Sequence, residues 1–305
     1  MAKKSFIQGA VILGVAGIII KIMGAFFRIP LANLIGDKGM GYYQTAYPIY
    51  VLFLTLATAG IPIAISKMVS ERIAVGHHFE AYRVFRVSFA LLFTIGICSS
   101  SILFFGAGLI VNAIGNPGAK YAMMAIAPAL LFVPIMAAYR GYFQGMQDMK
   151  PTATSQVVEQ LFRVATGLTL AYFLISRGRE FAAAGASFGA TAGSITGLIT
   201  VVGIYCFKKN TLRGDVERTY QVSTEKSSEI LANIFMIAIP VTIGAAIMPI
   251  MNTIDVGIVM RRLQETGWTR EAANGLYGQL TGMAGPLINF PQVLTQAIAM
   301  SLVPA

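Results

Sequence analysis

Long apolar segments, separated by short polar connections, dominate the sequence. The first segment, 6–35, is long enough to cross a bilayer, which takes about 20 apolar residues. Seven more follow, at 42–68, 84–113, 120–146, 154–176, 181–207, 230–260 and 274–303. Lipid offers no partner to backbone amides and carbonyls, so each segment has to be helical. The sequence therefore predicts an all-α, polytopic transmembrane helix bundle.

Composition and charge agree with a multi-pass protein of the cell membrane. Charged residues make up 12% of the chain, about half the share typical of soluble domains (roughly 25%). Thirteen lysines and arginines fall on the N-terminal side of the predicted membrane topology and seven on the opposite side. This bias predicts a cytoplasmic N-terminus. It also accounts for the net charge of +10, so we expect no nucleic-acid partner.

Lys21 and Arg28 are two cations within the first apolar segment. They lie seven residues apart, so they share nearly the same face of a helix. A cation at the bilayer centre costs roughly 2.5–3.5 kcal/mol on insertion scales. Because of this cost, we expect the two cations to face a water-filled cavity, and a cavity lined by cations suits an anionic ligand. The alternative is that both side chains extend to the membrane interface.

Glu159 and Arg163 are a second charged pair, in the fifth segment, at the i, i+4 spacing of a helical ion pair. They can simply neutralise each other, which lets charge enter the membrane cheaply. Alternatively, the pair contributes to a substrate cavity or orients the cations of the first segment.

Asn252 and Asp255 lie three residues apart in the seventh segment, after Pro240 and Pro249. Their oxygens can bind a hard monovalent cation, or Asp255 can carry a proton. The alternative is that Asp255 forms an ion pair with an arginine at 261 or 262. We expect no bound cofactor and no metal centre, apart from Na+ or H+ coupling at this position.

Other motifs favour packing over chemistry. Glycines at 185, 189, 193 and 197 form a stripe on which another helix can approach closely. The stripe contains a formal G-x-S-x-G match at Ser187, but it lies within a predicted helix and lacks the strand-to-helix turn of a hydrolase. His77 and His78 are predicted to lie in a loop. We therefore do not expect an enzyme.

The long polar connection at 208–229 divides the chain. It predicts a six-helix N-terminal lobe at 1–207, a cytoplasmic linker at 208–229 and the first two helices of a second lobe at 230–305. Proline-interrupted segments occur in both parts, as in transporters built from repeated halves. We expect the second lobe to be truncated after the eighth helix.

The stretch from Arg140 to Arg163 carries a resemblance. It reads RGYFQG, then PTA, then SQVVEQ and Arg163, while Lys21-Ile22-Met23-Gly24 stands in the first helix. The chain resembles the Gram-positive polysaccharide biosynthesis and stage V sporulation protein B family and is similar to MurJ-type lipid II flippases. Both belong to the multidrug/oligosaccharidyl-lipid/polysaccharide exporter superfamily.

This resemblance implies a two-lobed, MATE-like exporter fold with a central cavity. The implied substrate is a polyprenyl-pyrophosphate-linked oligosaccharide, such as the peptidoglycan precursor lipid II. Lys21 and Arg28 would hold its pyrophosphate, and Asp255 would belong to a sodium site. The implied partners are the lipid-linked substrate, membrane lipid and cell-wall synthesis proteins.

The sequence leaves three alternatives to a flippase. One is a cation-coupled multidrug antiporter of the same superfamily, whose organic cations Lys21 and Arg28 would repel. Another is a membrane enzyme, for which no catalytic constellation stands out. The third is a scaffold for cell-wall synthesis that transports nothing.

Overall fold

The computed structural model of the protein describes residues 2–218 and 225–288. These residues are almost entirely helical and include no strand. The α-helices are α1 (Ala2–Thr58), α2 (Ile61–Ala74), α3 (His78–Ile114), α4 (Lys120–Ile126), α5 (Ala129–Gly145), α6 (Lys150–Leu174), α7 (Arg179–Arg218), α8 (Ser227–Glu265) and α9 (Arg270–Gly278). The predicted all-α fold is confirmed.

Helix α1 reverses direction at Gly36. This residue has φ 69° and ψ −173°, a backbone conformation that glycine alone adopts without strain. Along a straight helix, Phe27 and Tyr43 would be about 24 Å apart. Their rings instead contact each other, with centroids 6.3 Å apart. The polar connection between the first two predicted segments is therefore a sharp turn, with helix on both sides.

Six stretches of the described residues are long and apolar enough to cross a membrane. The first, Val11–Ala74, has 64 residues and is divided by the reversal at Gly36. These stretches account for the first seven predicted spans. The eighth predicted span begins with α9, and its part from 289 onward lies outside the described residues.

The glycine stripe of α7 forms a close helix contact, as the sequence predicted, and the structure shows that the partner is α6. A Cβ atom at Gly189 would lie 2.5 Å from the Arg163 carbonyl oxygen, and one at Gly193 would lie 2.5 Å from that of Glu159. Such distances are possible only for glycine, because any Cβ would clash with the facing backbone. The stripe therefore fixes the position of α6, the helix that carries Glu159 and Arg163.

The described parts of the predicted linker, 208–218 and 225–229, are largely helical. Helix α7 continues to Arg218, and α8 begins at Ser227. An ion pair between Lys208 and Asp148 ties this end of α7 to the turn before α6. Another, between Arg72 and Glu225 at 2.7 Å, ties the start of α8 to α2. The division into two lobes stays a prediction.

Helix α8 packs along α2 and α3. Ile230, Ile234 and Ala238 are buried in one apolar cluster with residues of those two helices. Gly60, at the break between α1 and α2, lies directly against the backbone of Ala238. The start of the predicted second lobe thus packs closely on the first.

Candidate substrate cavity

A cavity of about 450 Å³ lies between α1 and α6. Three cationic side chains, Lys21, Arg28 and Arg163, line it. The other described lining residues are Ile20, Gly24, Ala25, Phe27, Tyr43, Tyr47, Gln160 and Pro286. No carboxylate occurs among these described lining residues. The cavity therefore presents positive charge and hydrogen-bond donors, a combination suited to an anion.

The two halves of α1 and one face of α6 build this cavity. Lys21 and Arg28 share a face of the first half because they are two turns apart. The reversal at Gly36 brings Tyr43 and Tyr47 back alongside them. Residues 160 and 163 reach the cavity from α6, where a spacing of three places them on one side. Each lining group thus follows from a helical period or from the turn.

Arg163 lies against an aromatic ring inside the cavity. Its guanidinium carbon is 5.3 Å from the centroid of the Tyr47 ring, a cation–π distance. Tyr47 in turn stacks on Tyr43, with ring centroids 5.7 Å apart. The aromatic contact orients the guanidinium without neutralising it. Its charge is therefore retained at the cavity wall.

Glu159 does not pair with Arg163, which was one of the two alternatives that the sequence left open. Glu159 pairs instead with Arg140 of α5, at 2.9 Å, and Arg140 also donates to the Ser155 hydroxyl. Both partners of this pair are mostly buried, with side chains 13% and 22% exposed. The neighbouring helix supplies a closer cation than the next turn of α6 does. Glu159 is not among the described residues that line the cavity. Because Glu159 pairs with Arg140, Arg163 keeps its charge and contacts the Tyr47 ring.

Asn252 and Asp255 lie on an exposed part of α8 and do not line the cavity. Among the described residues, the alternative pairing of Asp255 with the arginines that follow is not seen. Arg261 donates to the Ala113 carbonyl at 2.8 Å, and Arg262 pairs with Glu265 at 2.8 Å. A coupling role for Asn252 and Asp255 stays a prediction.

Comparison with known proteins shows the family of this chain. The family described as "Polysaccharide biosynthesis protein" matches residues 6–305. The chain belongs to this family. The resemblance drawn from Lys21–Gly24 and Arg140–Arg163 is thereby confirmed.

Two curated relatives come from Bacillus subtilis (strain 168). Stage V sporulation protein B is 31% identical over 100% of this chain, which spans 58% of that protein. The lipid II flippase MurJ is 28% identical over 98% of this chain, which spans 57% of that protein. The chain therefore spans less than two thirds of each relative.

The fold has solved counterparts. One is described as the inward-facing conformation of a multidrug resistance MATE family transporter of the MOP superfamily. It matches with a TM-score of 0.65 at 15% identity, over 92% of this chain and 69% of that one. The predicted MATE-like fold is confirmed. With its long apolar helices, this family member is a multi-pass membrane protein.

A second polar region joins α1 to α9. The Asn116 amide donates to the Thr45 hydroxyl and to the Asn274 side-chain oxygen, both at 2.8 Å. Asn274 donates to the Lys38 carbonyl at 2.8 Å. The side chains at 45, 116 and 274 are all buried. We call this contact, with Gly41 and Gly278, the α1–α9 seam.

Two glycines allow the backbones to meet in the seam. A Cβ atom at Gly41 would overlap the Asn274 carbonyl oxygen, and one at Gly278 would overlap the carbonyl oxygen of residue 37. At the rim, Lys38 forms an ion pair with Glu271 at 2.6 Å. Its hydrogen bond lowers the pKa of the Glu271 carboxyl. The seam thus holds α9, the second helix of the predicted second lobe, tightly against the turn of α1.

Sequence reasoning missed several members of these two regions. Gln160 could have been found, because it is three residues before Arg163 on the same helix face. Tyr47 could not, because its position depends on the reversal in α1. Asn116 and Asn274 are 158 residues apart, and no local pattern connects them.

The remaining sequence motifs do not form a catalytic arrangement where the structure describes them. Ser187 is 1% exposed within α7, so its hydroxyl is not presented on a nucleophile elbow. His77 precedes α3, makes no capping hydrogen bond with its side chain, and has its Nδ1 3.4 Å from a Glu80 carboxylate oxygen. His78 begins α3 and does not lie in the predicted loop. Across residues 2–218 and 225–288, no group of three or more His, Cys, Asp or Glu side chains could hold a metal.

Proposed function

We propose that this chain belongs to a membrane transporter that flips a polyprenyl-pyrophosphate-linked oligosaccharide across the cytoplasmic membrane by alternating access. The observation that carries this proposal is the α1–α6 cavity, where Lys21, Arg28 and Arg163 converge with no carboxylate among the described lining residues. Membership of the polysaccharide biosynthesis family supports a lipid-linked sugar as the substrate class. A lipid II-like peptidoglycan precursor is the specific substrate we favour.

The cavity offers suitable chemistry for a pyrophosphate. Charge-assisted hydrogen bonds to phosphate oxygens are about twice as strong as neutral ones. Arg28 and Arg163 can each grip two oxygens, whereas Lys21 acts as a point charge. Gln160 and the Tyr47 hydroxyl add neutral partners for sugar or phosphate. The chain's role is thus to bind and move the substrate without changing its bonds.

Alternating access requires the α1–α9 seam to open. In the arrangement described here, the seam closes one end of the contact between α1 and the second-lobe helices. With the predicted orientation, that end faces the outside of the cell. The substrate would then enter from the cytoplasmic side and leave after the seam separates.

A cation-coupled multidrug antiporter is the alternative that the fold keeps open. The likeness to a MATE transporter concerns the fold alone at 15% identity. Three cations in one cavity would repel an organic cation, so the electrostatics favour the flippase. A scaffold without transport would give no reason for this convergence of charge.

Energy coupling is assigned to α8 as part of the same proposal. Asn252 and Asp255 follow Pro249 within this helix, and a proline lacks the N–H that would donate to the carbonyl one turn earlier. Asp255→Asn should abolish any Na+ or H+ dependence of transport, since the amide carries no charge. Transport measured across an imposed ion gradient checks this. Unchanged ion dependence would remove Asp255 from the mechanism.

The central test is outward movement of lipid II in vesicles or in cells depleted of their own flippase. Lys21→Ala and Arg28→Ala should each abolish flipping while the protein still inserts, because removing an intramembrane charge eases insertion. Lys21→Arg should retain much of the activity. Arg28→Lys should lose more, because lysine cannot grip two phosphate oxygens.

The matched control is Lys67→Ala, which removes an exposed cation of α2 outside the cavity. It should flip lipid II normally. Normal flipping by both cavity variants would show that Lys21 and Arg28 only anchor the helix. If the wild type exports an organic cation and does not move lipid II, the antiporter is favoured.

A further inference from the structure

A groove separate from the substrate cavity lies between α3 and α8. Its volume is about 580 Å³, and it shares no described lining residue with the substrate cavity. Arg83 and Arg86 stand at one end of it, close to the start of α3. The remaining lining residues are Val87, Ala90, Leu91, Thr94, Ser227 and Leu231.

The α3 residues of the groove form a single stripe. They run from Arg83 to Thr94, three helical turns or about 16 Å. Charge is confined to the first turn, and the next two turns offer Val87, Ala90 and Leu91. The groove is therefore amphipathic along its length, with a cationic end and an apolar floor.

The cationic end lies where the membrane interface is expected. Arg83 and Arg86 flank the start of the third apolar segment, and α8 begins at Ser227 on the same side. Arginines at such a depth can reach phosphate groups of the lipid headgroup layer. The apolar floor then points toward the hydrocarbon.

We propose that this groove holds one anionic phospholipid of the surrounding membrane. Its phosphodiester lies between Arg83 and Arg86, and an acyl chain follows Val87, Ala90 and Leu91. A soluble phosphate would use the arginines alone and leave the apolar floor exposed. A zwitterionic lipid would place its own cation beside the arginines. The site is independent of the proposed transport function, because none of the described cavity residues lines it.

The lipid's position indicates what it does for the fold. It contacts α3 and α8 together, so it bridges the first six predicted spans and the seventh. A lipid that binds the folded state and not the unfolded state stabilises the folded state by mass action. We therefore expect the anionic lipid to strengthen the contact between α3 and α8.

Native mass spectrometry of the purified full chain tests this proposal. Phosphatidylglycerol and phosphatidylcholine with identical acyl chains are titrated separately, and bound lipid is counted on the folded protein. The wild type should retain one phosphatidylglycerol preferentially. Arg83→Gln and Arg86→Gln should each weaken that binding about fivefold, as expected for one basic residue at an anionic interface.

The charge-matched control is Lys67→Gln combined with Lys209→Gln. Both are exposed cations that lie outside the groove, so the double control should bind phosphatidylglycerol like the wild type. The double variant Arg83→Gln/Arg86→Gln should lose the preference over phosphatidylcholine. Equal binding of both lipids by the wild type, or full retention by the double variant, would overturn the proposal.

A second variant tests the acyl chain. Ala90→Phe fills the apolar floor and keeps both arginines, so it should also weaken phosphatidylglycerol binding. Ala165→Phe adds the same bulk to an exposed position of α6 and should not. Competition by soluble glycerol phosphate at equal concentration would show a phosphate site instead. Stronger binding of a polyprenyl phosphate would reassign the groove to the substrate.

Discussion

The substrate cavity and the α1–α9 seam both use α1, yet their polar groups are arranged in opposite ways. In the cavity, three cations line the wall and none of the described lining residues is a carboxylate. In the seam, Asn116 and Asn274 satisfy each other and the facing backbone. Groups that satisfy each other hold two helices together, whereas convergent like charges favour a ligand of opposite sign.

This difference suits the seam to closing the protein and the cavity to binding a ligand. Opening the seam exposes amides and hydroxyls that water can satisfy, so its energetic cost is moderate. Emptying the cavity of an anion leaves three like charges lining one cavity without a counter-ion among its described lining residues. A bound anion would therefore stabilise the cavity by offsetting this repulsion.

The largest effect on stability is expected from the seam glycines. Gly41→Ala or Gly278→Ala would drive a methyl group into a backbone carbonyl, at a cost of about 3 kcal/mol. Gly203→Ala is the matched control, since no atom lies within 4 Å of its added Cβ. That control should be neutral or slightly stabilising. Thermal unfolding in detergent measures all three, and equal melting temperatures would show that the seam is not closely packed.

A smaller effect is expected from the ion pair behind the cavity. Glu159→Gln leaves the Arg140 guanidinium mostly buried without its counter-ion, which should cost about 2 kcal/mol. The double variant Arg140→Gln/Glu159→Gln should recover much of this loss, because neither charge is then left alone. Chemical or thermal unfolding of the single and double variants measures the coupling. A double variant less stable than Glu159→Gln would contradict this account.

Arg163→Gln provides the contrast on the same helix. It removes a cation that lies on the Tyr47 ring and lines the cavity, and it leaves no carboxylate among the described lining residues unpaired, so the fold should be retained. Flipping should fall at least tenfold if Arg163 binds the substrate. Loss of stability without loss of flipping would assign Arg163 to the scaffold and remove its contrast with Glu159.

Features that depend on one helix could be predicted from the sequence, whereas contacts between helices could not. Apolar length predicted the helices, and the seven-residue spacing placed Lys21 and Arg28 on one face. The i, i+4 spacing failed for Glu159, because Arg140 of a neighbouring helix lies closer than Arg163 does. Local periodicity describes one helix at a time. The cation–π contact of Arg163 depends on a reversal in α1, so no single helix encodes it.

The seam shows the same limit more strongly. Gly41 and Gly278 look like ordinary helix glycines in the sequence. Only the close approach of α1 and α9 explains why neither position tolerates a Cβ. By contrast, the α7 stripe was predictable, because four glycines at a regular spacing of four indicate a packing face without reference to the partner helix.

The smallest effect is expected at the exposed rim of the seam. Lys38 holds the pKa of Glu271 below its ordinary value of 4.5. A carboxyl with a lowered folded-state pKa adds stability above its unfolded pKa and loses it as the pH falls through the folded value. Glu271→Gln should therefore melt slightly below the wild type at pH 7 and equal to it well below pH 4.5. Salt should shrink the difference at pH 7, because the pair is exposed and screened.

Glu265→Gln is the control, since its partner Arg262 lies three residues away on the same helix and joins no second element. If the two variants respond alike to pH and salt, the rim pair adds nothing to closure, and the seam is held by its buried amides and glycines alone.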